Sequence, residues 1–72
     1  MHYVVVIEKT KQGYSAYVPD LPGCISVGNS REQIEQNIQE AILFHVEGIH
    51  EDGDRLPVPN TEAVTMLIPS VG

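Results

Sequence analysis

The sequence predicts a single α+β domain in the order β-β-β-α-β, an antiparallel three-strand meander plus a fourth strand, with one helix packed on one face. Three observations carry this. Residues 2–28 hold short β-type runs separated by Gly- and Pro-bearing connections. Residues 30–51 then switch to a helical period behind a Ser cap. Residues 63–68 (AVTMLI) return to an apolar β-type run that Pro69 ends.

The first strand is read at residues 2–8 (HYVVVIE). Its two faces are Tyr3, Val5, Ile7 and His2, Val4, Val6, Glu8. Valines on both faces point to a central strand covered at least in part on each side. Residues 9–13 are a polar connection of hairpin length ending in Gly13. The second strand, 14–18 (YSAYV), stops at Pro19, which has no N–H for a ladder. A third, 24–28 (CISVG), places Ile25 and Val27 on one face.

Ser30 with Gln33, and Asn29 with Glu32, both have capping-box spacing, so the helix starts there. Its apolar stripe is Ile34, Ile38, Ala41, Ile42 and Ile49, and it runs to about Glu51, where Asp52-Gly53 supplies a stop. The prolines of residues 56–59 (LPVP) keep the following segment extended. Placing the fourth strand beside the first makes the doubly apolar first strand central. The helix then covers one sheet face and leaves the other for a partner.

Composition narrows the function. A 72-residue chain buries only about 60% of the surface it exposes when unfolded, so its core needs outside support. A single cysteine excludes an internal disulfide, and no Cys/His spacing marks a structural zinc. Oligomerisation or a partner is the expected source of support. Ten acidic against four scattered basic residues argues against nucleic acid and for a basic partner. No run is long and apolar enough to span a membrane and no export signal opens the chain, which with an unpaired cysteine is expected of a cytoplasmic protein.

The stretch Pro19, Asp20, Leu21, Pro22, Gly23, Cys24 can be read as a reactive loop or as a structural corner. A nucleophilic thiol needs a base or a cationic setting, and Cys24 has only Asp20 nearby in sequence. Free cysteine is commonly a small buried hydrophobe. Pro19 ends a strand, Asp20 suits an Asx-type turn on its own backbone, and Pro22-Gly23 suits a type II turn. Leu21 is the apolar residue pinned between them. The corner reading is favoured, with no catalytic residue expected.

His45 and His50 are five apart and fall on different helix faces, so no metal site is expected, and no phosphate-cradling motif calls for a cofactor. A metal-dependent nuclease on this topology would need carboxylates on the central strands, where only Glu8 stands. The candidate partner interface is Val4 and Val6 on the sheet, with Leu43, Phe44 and Glu47 on the helix.

From Gly13 to Ile42 the chain resembles the HicB family of antitoxins and its short HicB-like relatives. The matching features are the Tyr-containing strand, the Pro19–Cys24 corner, Gly28, the Ser30 cap, Asn37 and Glu40-Ala41. The resemblance implies a non-catalytic, partial ribonuclease-H-like fold. It also implies an antitoxin that binds and blocks HicA, a small basic mRNA-cleaving toxin, and that forms dimers or larger oligomers such as tetramers. Full-length members add a C-terminal DNA-binding segment, which is not expected here because the chain ends at Gly72. The alternative is an orphan homo-oligomeric binding or structural module without a toxin partner.

Overall fold

In the computed structural model, which describes residues 1–70, β1 (Val6–Thr10), β2 (Gly13–Tyr17) and β3 (Ile25–Gly28) form one antiparallel sheet in the order β1-β2-β3. Val6 lies opposite Tyr17 and Thr10 opposite Gly13, so Lys11 and Gln12 alone make the first turn. Both keep negative φ, and Gly13, at φ 153°, absorbs the change of direction into β2. The second register places Tyr17 opposite Ile25 and Tyr14 opposite Gly28.

β1 begins four residues later than the sequence predicts. Its only partner, β2, ends at Tyr17 where the chain enters the proline corner. Residues 2–5 therefore extend past the end of the ladder with no strand opposite them.

The helix α1 (Arg31–Glu51) starts as its capping residues require. The Ser30 hydroxyl accepts from Gln33 N at 3.0 Å, and the Gln33 side chain reaches back to Asn29 N–H. At the other end Gly53 takes φ 76°; Gly53 N–H donates to His50 C=O and Asp54 N–H to Ile49 C=O, both at 3.1 Å. This is a Schellman stop, satisfying carbonyls that the helix leaves open. Gly28 lets α1 pass close to β3, since a Cβ there would sit 2.9 Å from Ile34 N.

The core is small. Ala16, Val18, Leu21, Cys24, Ile34 and Ile38 are buried, and Val5, Ile7, Ala41, Ile42, Val46 and Ile49 pack around them half-buried. The helix lies over β3 and β2 rather than over β1.

The fourth strand is the expectation that fails. Residues 63–68 belong to no ladder, and Val64, Met66, Leu67 and Ile68 are exposed, Leu67 at 95%. The cause lies upstream. After α1 the chain returns past the end of the sheet, where the Tyr3 hydroxyl donates to Pro57 C=O at 2.6 Å. It is then fastened at Asp20, beyond the end of β2. The tail lengthens the molecule to 53 × 27 × 16 Å and raises the radius of gyration to 14.6 Å. A compact chain of this length would have about 11 Å.

Candidate protein interface

The Pro19–Cys24 corner is two consecutive turns. Leu21 N–H donates to Val18 C=O at 3.1 Å and Cys24 N–H to Leu21 C=O at 3.0 Å, with Gly23 at φ 84° in the second. Val18 N–H donates to Cys24 C=O and closes the loop, and Leu21 is fully buried beneath it. Pro22 and Gly23 are exposed at the tip.

Asp20 does not bond its own backbone in the expected way. Its carboxylate accepts from the Thr61 hydroxyl at 2.8 Å, Thr61 N–H at 3.1 Å and Asn60 N–H at 3.2 Å. Desolvation pushes its pKa up, but these three donors outweigh that and hold the carboxyl below its ordinary value. Asp20 is thus the clasp of the strap that follows the helix. Cys24 is 3% exposed, and burial pushes its thiol pKa up, the opposite of what a nucleophile requires.

The five candidate interface residues are not brought together. Ile7 faces the core opposite buried Ala16, so its neighbour Val6 points to the opposite side of the sheet, as does Val4. There Val6, Tyr17 and Ile25 form one cross-strand row and Glu8, Ser15 and Val27 the next. Ile25 and Val27 are 69% and 72% exposed, so this uncovered face is more apolar than Val4 and Val6 alone indicate. Their alternation was visible in the sequence; which side the helix takes was not.

Leu43, Phe44 and Glu47 occupy the outer surface of α1, on the far side of the molecule. Phe44 is 81% exposed and Leu43 63%. Glu40, Phe44, Glu47 and Glu51 share one helical stripe, and Phe44, Glu47, Gly48 and Glu51 line a shallow groove of about 160 Å³. The exposed Arg31–Glu35 pair, at 3.1 Å, is one place where a cation offsets the helix acids.

A third surface was not anticipated. Because the helix sits over β3 and β2, an open trough of about 530 Å³ runs between β1 and α1, lined by Val5, Ile7, Ile38 and Ile42 with Arg31 and Glu35 at its rim. At the opposite sheet edge the Asn37 amide donates to Val27 C=O at 2.8 Å, tying α1 to β3.

Among the described residues no cluster of three or more His, Cys, Asp or Glu side chains is placed to hold a metal ion. No helix among them is long and apolar enough to cross a membrane.

Residues 3–70 match the model of the HicB-like antitoxins of bacterial toxin-antitoxin systems. A protein of the rep-hol intergenic region of Haemophilus phage HP1 is 47% identical over 60 residues, covering 83% of this chain and 45% of the phage protein. The chain therefore spans under half the length of that relative. A UPF0150 protein of Thermoplasma acidophilum is 36% identical over 67 residues, covering 92% of this chain and 97% of its own length. Among solved structures, a chain of the HicA3 and HicB3 toxin-antitoxin complex superposes with a TM-score of 0.71 at 37% identity, over 83% of this chain and 70% of that one. The buried corner, the sheet and the single capped helix are thus those of a HicB-like antitoxin, and the chain belongs to that family.

Proposed function

We propose that this chain neutralises a small basic HicA-type mRNA-cleaving toxin by docking on it and occluding its active surface. The observation that carries this is the outer stripe of α1, where exposed Phe44 stands in a frame of Glu40, Glu47 and Glu51. An aromatic anchor ringed by carboxylates fits a cationic protein surface, with the ring supplying buried area and the acids steering approach. A formal charge of −6 extends that attraction to the whole molecule. The relative solved with HicA3 supports a toxin as the class of partner. The role is binding and not catalysis, in keeping with a buried thiol whose pKa is raised. We read the sheet as a partial ribonuclease-H-like core that lacks one strand.

The test is copurification and calorimetry of the full chain with a HicA-type toxin, alongside an assay of mRNA cleavage. Phe44→Ala, at a position that contributes nothing to the core, is expected to keep its thermal melt and weaken binding at least tenfold. No complex, with toxin activity unchanged, would overturn the reading. The exposed Ile25 and Val27 favour the second one, an orphan homo-oligomeric module, in that event.

A further inference from the structure

Gly48 has no structural reason to be glycine. It lies within α1, whose stop is supplied later by Gly53. Glycine in a helix lowers its stability relative to almost any other residue. Gly13, Gly23 and Gly53 need their positive φ, and at Gly28 a Cβ would collide with α1. At Gly48 φ is not positive, and a Cβ would meet nothing within 4 Å. Its carbonyl accepts from Asp52 N–H at 3.1 Å, a bond that any residue can accept.

The neighbours of Gly48 also run against helix stability. Glu47 and Glu51 are one turn apart, where like charges repel. Both stand near the helix C-terminus, whose dipole disfavours anions. Among the described residues no ion pair relieves either; the Arg31–Glu35 pair is at the other end of α1. Phe44 leaves its ring 81% exposed. Departures from local rules that gather at one place mark a site with a use beyond folding.

Phe44, Glu47, Gly48 and Glu51 are positions i, i+3, i+4 and i+7 of one helix. Such a set frames a hole on the helix surface that takes one side chain from a facing molecule. Here the hole is the groove of about 160 Å³. Phe44 stands at one end, Glu51 at the other and Glu47 on one side, while Gly48 leaves the remaining side open down to the backbone. A planar cation can stack on the ring and be held by both carboxylates. Its aliphatic stem can lie over the bare backbone at Gly48. The formal charge of −6 favours the same sign of partner.

We propose that this groove receives one arginine side chain of the basic toxin, its guanidinium against the Phe44 ring and held by Glu47 and Glu51. Gly48 is the specificity-determining residue, because any side chain there fills the space that the arginine stem needs. The source of the arginine rests on the toxin reading; the guanidinium site does not.

The experiment has two arms, both on the full chain. In the first, ¹H–¹⁵N spectra are recorded as Nα-acetyl-arginine amide is added, with Nα-acetyl-lysine amide as the comparison. Shifts centred on the Phe44 and Gly48 amides are expected, larger with the arginine derivative and lost in Gly48→Gln. In the second arm, Gly48→Gln introduces a better helix former, so its urea midpoint is expected to rise. Its affinity for a HicA-type toxin is expected to fall about tenfold. A purely structural role for Gly48 would not join greater stability to weaker binding. Equal shifts with the lysine derivative, no shifts with the arginine one, or unchanged toxin affinity in Gly48→Gln would overturn the proposal. If the parent chain binds no toxin while the arginine derivative shifts Gly48, the toxin reading fails and the guanidinium site stands.

Discussion

Asp20 shows how one side chain can hold two distant parts of a small domain together. Its carboxylate spends its acceptor capacity on Asn60 and Thr61, some 40 residues away. Because these donors favour the ionised form, the folded-state pKa lies below the ordinary 3.8. The contribution is therefore fully present above pH 3.8 and is lost as pH falls through the depressed folded value. Asp20→Asn, which keeps the shape but not the charge, is expected to speed hydrogen exchange at the Asn60 and Thr61 amides at neutral pH. In the parent chain the same acceleration should appear only in acid, and a pH series of exchange rates measures both. The role was hidden in the sequence, where Asp20 beside prolines looks like a local turn former. Nothing near it in the chain signals a partner so far along. Leu21 and Gly23 were more legible, because the burial of one and the positive φ of the other follow from turn chemistry within the corner itself.

At the scale of elements, short-range signals read well. The α1 start follows from the Ser30–Gln33 pair and its end from Gly53. Ser30→Ala removes the acceptor for Gln33 N–H and is expected to cost about 1 kcal/mol, read as a lower urea midpoint at unchanged m-value. β2 and β3 fall within a residue of their predicted limits because Gly and Pro punctuate them. β1 was misplaced for a different reason. A strand sequence states a preference for extended backbone, whereas a ladder requires a neighbour, and β2 stops before residues 2–5 are reached. The same distinction accounts for residues 63–68. Their β-type pattern was plain, but the sheet ends at β1 and no strand lies beside them. The interface candidates were legible as apolar or acidic outliers. Their division between two opposite surfaces was not, because helix and sheet periodicities do not say how the elements stack.

The whole molecule carries its charge unevenly, with glutamates along the outside of α1 and apolar side chains on the uncovered sheet face and tail. Association with a basic toxin through the helix should be steered over distances comparable with the screening length, about 8 Å at physiological salt. Its on-rate is expected to fall about tenfold or more between 50 and 500 mM salt, while dissociation changes little. Stopped-flow mixing distinguishes the two, and an unchanged on-rate would remove the electrostatic role assigned to Glu40, Glu47 and Glu51.

The Asp20 clasp also has a consequence for the order in which the protein folds. β1, β2, β3 and α1 each pack against their neighbours in the chain, so their contacts close short loops and can form early. The clasp joins Asp20 to Asn60 and Thr61 across a loop of some 40 residues. It is then the final joint of the body to close. Until Asn60 and Thr61 dock, the Asp20 carboxylate is open to water.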